Sequence, residues 1–93
     1  MQGEMTEEEL ESIEESGRQL MSPREAATIA GVDWYQFKAD YDGQGKAYLA
    51  YQRGALQRIR EMKKVVLDLA TAGSAPAQEL ALKYLKEFNI QAA

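Results

Sequence analysis

The sequence contains no cysteine and no histidine, and only two prolines, in 93 residues. Without cysteine it can form neither a disulfide nor a reactive thiolate, and without histidine it lacks the commonest general base and metal ligand. No apolar run approaches the ~20 residues that cross a membrane, and the acidic N-terminus is unlike a signal peptide. We therefore expect a cytoplasmic protein that has no membrane partner, needs no metal or cofactor and is not an enzyme.

Charge is distributed unevenly along the chain, although the formal net charge is only −4. Residues 1–15 carry seven acidic side chains and no basic one, whereas residues 46–64 carry six basic side chains and a single glutamate. The acidic run is typical of a solvated helix start, with a docking surface for a basic partner as the alternative. The basic segment is compatible with a nucleic-acid partner despite the overall acidity.

Two capping boxes predict where the first two helices begin. Thr6 with Glu9 opens a helix over residues 6–20, and Ser22 with Glu25 opens the next one. In each pair the hydroxyl accepts a hydrogen bond from a backbone N–H that has no partner within the helix, and the carboxylate reaches back to the capping residue.

Glycine and aspartate mark the next boundaries. Gly31 suits the left-handed residue that ends the second helix, and Asp33 caps a third helix over residues 34–41. The glycine-rich turn at residues 42–45 then leads into a long helix over residues 46–72.

The long helix has a wide apolar face. Its apolar residues cover about half of the circumference, more than the ~100° that one buried face needs. We therefore expect it to pack both within its own chain and against another subunit; the alternative is the core of a monomer. Ser74 caps a last helix over residues 75–88, and a short tail follows at residues 90–93.

These elements predict an all-α fold. An N-terminal three-helix helix-turn-helix unit, residues 1–45, is followed by the long helix and a shorter antiparallel helix. The last two helices form a helical hairpin, residues 46–93, to which we assign oligomerisation. The candidate oligomerisation residues are Leu49, Leu56, Ile59, Met62, Val66, Leu69, Leu80, Tyr84 and Phe88.

Residues 22–41 match the helix-turn-helix pattern. The motif requires a small residue in its first helix, a glycine at the turn, an apolar residue after the turn and an apolar anchor in the second helix. These positions hold Ala27, Gly31, Val32 and Phe37. Asp40 occupies a further position that is usually apolar, where Tyr41 can serve instead.

The second helix of this motif enters the major groove in DNA-binding proteins. Gln36 could read an adenine edge and Lys38 could meet a phosphate, while cations on the long helix line up along one ridge. The candidate DNA-binding residues are Arg24, Gln36, Lys38, Lys46, Arg53, Arg60 and Lys64. Aspartates at positions 33, 40 and 42 would repel phosphates, so the alternative is a packing unit with no DNA role.

The order of these parts resembles the small terminase subunits of tailed bacteriophages. The segment Leu69–Phe88, LATAGSAPAQELALKYLKEF, is similar to the hairpin turn and apolar helix of such packaging proteins. The resemblance implies that the N-terminal unit binds double-stranded viral DNA at the packaging start. It further implies a homo-oligomeric ring built by the hairpin, recruitment of a large terminase subunit, and a phage or prophage protein in the host cytoplasm.

Two other functions fit the same residues. A helix-turn-helix transcriptional regulator would dimerise through the long helix and read a palindromic operator. A structural or adaptor module would use the helix-turn-helix as scaffold only and would not bind DNA at low salt.

Overall fold

The structure is a computed structural model that describes residues 4–92. Those residues form five helices and no strand, which confirms the all-α prediction. The helices are α1 (Glu7–Arg18), α2 (Pro23–Ala30), α3 (Trp34–Asp42), α4 (Lys46–Thr71) and α5 (Ala75–Ala92). The outermost residues of the two predicted domains, 1–3 and 93, lie outside the described part.

Both capping boxes are confirmed. The Thr6 hydroxyl accepts from the Glu9 backbone N–H at 3.1 Å, and the Glu9 carboxylate accepts from the Thr6 N–H at 2.8 Å. The Ser22–Glu25 pair makes the same two bonds at 3.2 and 2.9 Å. The bond from the Ser22 backbone to the carboxylate holds the pKa of Glu25 below its ordinary value.

Two helix ends differ from the prediction. Helix α1 stops at Arg18 because Leu20 adopts a left-handed conformation (φ 59°) and donates to the Gly17 carbonyl, while Met21 donates to that of Ser16. This is the Schellman closure, here without its usual glycine. Helix α5 passes Asn89 and runs to Ala92, so the predicted tail is wrong for residues 90–92. No glycine or proline follows Asn89 to break the helix.

The turn between α2 and α3 has the expected helix-turn-helix geometry. Gly31 is left-handed (φ 74°), and Val32 donates to the Ala27 carbonyl at 2.9 Å. Ala27 and Phe37 are fully buried and Val32 is nearly so. These residues form one core cluster with Ile13 of α1.

Helices α1 and α4 meet at two glycines. A Cβ atom on Gly54 would overlap the backbone carbonyl oxygen of Glu14 and lie 2.8 Å from the backbone nitrogen of Arg18. A Cβ atom on Gly17 would overlap the carbonyl oxygen of Tyr51 in the same way. The two backbones are therefore in direct contact, which only glycine permits at either position.

The chain divides into two compact units within α4. Residues up to Ile59 form the first unit and residues from Arg60 onward form the second, whereas the sequence places the boundary at residues 45 and 46. The start of α4 belongs to the first unit because Ala47, Ala50 and Gly54 are buried there.

The second unit is an antiparallel helical hairpin. The chain reverses at Gly73 (φ 104°), and Gln78 donates to the Ala70 carbonyl at 3.1 Å. Farther from the turn, the Lys63 ammonium lies 4.9 Å from the centre of the Tyr84 ring. The Ser74 hydroxyl accepts from the Ala77 N–H at 3.4 Å and so caps α5 as predicted.

We expect Gly54→Ala to lower the free energy of unfolding by about 3 kcal/mol, because the added methyl group forces the α1 and α4 backbones apart. Gly31→Ala is the matched comparison. It meets no atom within 4 Å and is strained only by its positive φ, so it should cost about 1 kcal/mol. Urea denaturation followed by circular dichroism measures both; a Gly54→Ala protein as stable as the parent would refute the backbone contact.

Candidate nucleic-acid and self-association surfaces

Helix α3 buries one side and presents the other. Phe37 is fully buried, while Tyr35 is 78% exposed and Lys38 and Ala39 are also exposed. Gln36, which the sequence analysis predicts to read a base edge, is half-buried. The outward face of α3 is thus made of Tyr35, Lys38, Ala39 and Asp42.

Arg24 of α2 lies beside this face. Its guanidinium carbon is 5.3 Å from the centre of the Trp34 ring, which in turn stacks on Phe37 at 6.0 Å between ring centres. The cation–π contact holds the α2 cation at the start of α3. The structure therefore places Arg24 over the first residue of α3, four residues before Lys38.

Most of the predicted DNA-binding cations pair with a carboxylate of the same chain. The nitrogen–oxygen distances are 2.8 Å for Lys38–Asp42, 3.8 Å for Lys46–Glu4, 3.0 Å for Arg53–Glu14 and 2.8 Å for Lys64–Asp68. The hydrogen bond to Asp42 raises the pKa of Lys38, and that to Asp68 raises the pKa of Lys64. A phosphate would have to compete with each of these carboxylates.

The predicted ridge of α4 is divided between the two units. Lys46 and Arg53 belong to the first unit, where they line an open groove of about 430 Å³ opposite the acidic side of α1. Arg60 and Lys64 belong to the second unit.

Other basic residues hold α1 to α4. Arg58 donates to the Arg18 carbonyl at 2.8 Å, and the Arg18 guanidinium donates to the Gln57 side chain at 2.7 Å. Nearby, the Tyr51 hydroxyl donates to the Met21 carbonyl at 2.6 Å, and burial raises the pKa of that hydroxyl. Part of the positive charge in residues 46–64 therefore stabilises the packing of α1 against α4.

Asp40 has a role that the sequence comparison with the helix-turn-helix pattern missed. Its carboxylate accepts a hydrogen bond from the backbone N–H of Tyr48 at 3.0 Å, in the first turn of α4. A Cβ atom on Gly45 would lie 2.6 Å from the same carboxylate, so the glycine makes room for it. Asp40 thus caps α4 from α3, and its sequence signal was an acidic residue at an apolar position just before a glycine-rich turn.

The apolar side chains of α4 and α5 are largely uncovered in each unit. Among the predicted oligomerisation residues, Val66 and Tyr84 are half-buried. The others are exposed: Leu49, Leu56, Ile59, Met62, Leu69, Leu80 and Phe88. Uncovered apolar surface on this scale is typical of an interaction site.

The hairpin of the second unit has apolar residues on two faces. One face is a groove of about 530 Å³ lined by Leu67, Leu82 and Leu85 together with Ala70 and Ala81. The sequence predicted oligomerisation through these two helices, but none of these five residues is among the predicted oligomerisation residues. The other face includes Val65 and Leu69, which lie two residues from Leu67 and so point about 160° away from it around α4. Val65 is 58% exposed and Leu69 is 50% exposed.

Comparison with family models, curated proteins and solved structures returns no match to this chain. None of the helices described between residues 4 and 92 is both long and apolar enough to cross a membrane. The same residues contain no group of three or more acidic side chains placed to hold a metal ion.

We expect Asp40→Ala to lower the free energy of unfolding by about 1 kcal/mol, since it leaves the Tyr48 N–H at the start of α4 without its side-chain acceptor. The matched control is Asp42→Ala, which removes only the exposed pair with Lys38 and should change stability by less than about 0.5 kcal/mol. Thermal unfolding of the two variants decides this; equal effects would contradict the capping role.

Proposed function

We propose that the protein is a self-assembling helix-turn-helix protein of the small-terminase type that binds double-stranded DNA. In this proposal the α4–α5 hairpin joins copies of the chain, and the α2–α3 unit of each copy presents α3 to the major groove. The observation that carries the proposal is the two-faced apolar surface of the hairpin.

Self-assembly is supported by how little apolar surface the hairpin buries by itself. Ala77, at 5% exposure, is its one buried apolar side chain among the described residues, whereas Val65, Leu67, Leu82 and Leu85 are each about half exposed. Two helices with so small a shared core need further partners, because most helical stability comes from packing of an apolar face. A second copy supplies a matching apolar face.

The two faces favour a ring over a dimer. A two-fold dimer joins one patch to its own copy and would leave the other face in water. When each hairpin packs against a neighbour on both sides, a closed ring covers every face. The two apolar faces therefore support a packaging-type assembly over a dimeric transcriptional regulator.

DNA binding is supported by the α2–α3 unit. Gly31 gives the turn its left-handed residue, Phe37 anchors α3, and the outward side of α3 carries Tyr35 and Lys38. Arg24 stands next to this face on Trp34. In this proposal these side chains touch base edges and phosphates in the way that a recognition helix does.

Several copies are needed for useful affinity. Lys38, Lys46 and Arg53 each share their charge with a carboxylate, so a single copy gains little from phosphate contacts. A ring adds the contributions of its copies by raising the effective concentration of each unit near the DNA. The sum of phosphate contacts also makes binding steeply dependent on salt.

We expect light scattering on a sizing column to give one discrete mass well above that of two 10.4-kDa chains. Leu82→Glu with Leu85→Glu, or Val65→Glu with Leu69→Glu, should each reduce the mass to a dimer or monomer, because either pair places charge on one apolar face. Gln91→Glu is the control on α5 and should keep the parent mass.

Three results would go against this assembly. A parent mass of one chain would refute it, and a parent mass of two chains would favour the dimeric regulator. A full-size oligomer in both double variants would show that the hairpin faces are not the interface.

For DNA, we expect the oligomer to bind a random-sequence duplex at low salt and to lose affinity steeply as salt rises. Arg24→Ala removes an exposed cation that forms no ion pair with a described carboxylate, so it should weaken binding about five- to ten-fold and reduce the salt slope by about one phosphate contact per bound copy. Lys83→Ala on α5 removes the same charge and should have a smaller effect. Fluorescence anisotropy measures both.

The pairing of the candidate cations favours one other function, a helical adaptor without a nucleic-acid role. Such a module would assemble through the same hairpin but would bind no duplex even at low salt. That result would leave the assembly proposal intact and refute the DNA-binding one.

A further inference from the structure

Two carboxylates compete directly with phosphate for the proposed DNA-binding cations. Glu14 pairs with Arg53 at 3.0 Å, and Asp42 pairs with Lys38 at 2.8 Å. In the first pair the glutamate side chain is 27% exposed and the arginine is 62% exposed, so the glutamate is the more buried partner and the arginine faces solvent.

The position of Glu14 is fixed by the backbone and not by the ion pair. Its carbonyl oxygen overlaps the place where a Cβ atom of Gly54 would lie, so the Glu14 backbone stays beside α4 and its side chain stays within reach of Arg53 unless α1 separates from α4. The carboxylate is also within 3.4 Å of the Arg18 guanidinium. A phosphate that approaches Arg53 therefore competes with the neighbouring Glu14 carboxylate.

Asp42 has a position that local helix stability does not explain. It is the last residue of α3, which has no basic residue in its last turn, and a negative charge at a helix C-terminus is unfavourable. The order lysine then aspartate at a spacing of four is also the weaker orientation of a helical ion pair. What Asp42 does provide is a carboxylate next to the one cation on the outward face of α3.

We infer that Glu14 and Asp42 are specificity-determining residues of the DNA interface. They hold Arg53 and Lys38 away from the phosphates of a duplex that lacks the preferred base contacts. This inference rests on the proposed DNA binding. Random duplex must break an ion pair for each cation it gains, and that exchange yields little net affinity. A preferred sequence adds base-edge contacts at α3, which do not depend on breaking these pairs, so the ratio of specific to non-specific binding rises.

The test removes each carboxylate charge without removing the hydrogen-bond acceptor. Glu14→Gln and Asp42→Asn should each tighten binding to a random-sequence duplex about two- to five-fold, the range that an exposed ion pair supports. Each should also steepen the salt dependence by about one phosphate contact per bound copy. Because the two residues lie on different helices, a folding defect in one variant leaves the other decisive.

Glu8→Gln is the matched control. Glu8 lies on the exposed side of α1, carries the same charge, and forms no ion pair with any of the described residues. It changes the net charge by the same amount and should tighten binding less than about 1.5-fold, since salt screens charges more than ~8 Å away at physiological ionic strength. Circular dichroism melting confirms that all three variants are folded.

The outcomes separate this inference from the proposed function. If the parent binds duplex and neither variant exceeds Glu8→Gln in affinity or salt slope, the inference is wrong and DNA binding stands. If neither the parent nor any variant binds duplex at low salt, both are wrong. If both variants bind random duplex more tightly than Glu8→Gln does, the carboxylates act as inferred.

Discussion

The backbone contact between α1 and α4 is the constraint on which the first unit depends. Gly17 and Gly54 each leave room for a carbonyl oxygen of the opposite helix. This approach brings the C-terminal end of α1 within reach of side chains on α4, so Arg58 can donate to the Arg18 carbonyl and Arg53 can meet Glu14. Any larger residue at either glycine would separate these partners together, because they all span the same short gap.

The same contact changes what the basic segment does. Residues 46–64 carry most of the positive charge of the chain, yet part of it is used to hold α1 and part is balanced by carboxylates. The acidic first helix is therefore a structural and electrostatic partner of α4 within one chain. In the function we propose, this arrangement limits attraction to arbitrary polyanions and makes affinity depend on the number of copies and on base contacts.

The second unit has the opposite character, with few polar links and much uncovered apolar surface. Its hairpin is joined by the Gly73 turn, the Gln78–Ala70 hydrogen bond and the Lys63–Tyr84 contact. Apolar side chains on both of its faces remain in water in the single chain. One molecule thus combines a first unit held together by backbone and polar contacts between its helices with a second unit that we propose is completed by neighbouring copies.

The five helices could be predicted from the sequence, apart from the ends of α1 and α5, because most of their boundaries depend on groups a few residues apart. The Ser22–Glu25 box and the left-handed Gly31 could be recognised from spacing and residue type alone. Tertiary structure decided which residues meet across the chain: that Asp40 caps α4, that Arg53 pairs with Glu14, and that the first unit extends to Ile59. Those contacts depend on how closely two helices approach, and the repeat of apolar residues along one helix carries no information about the surface it faces.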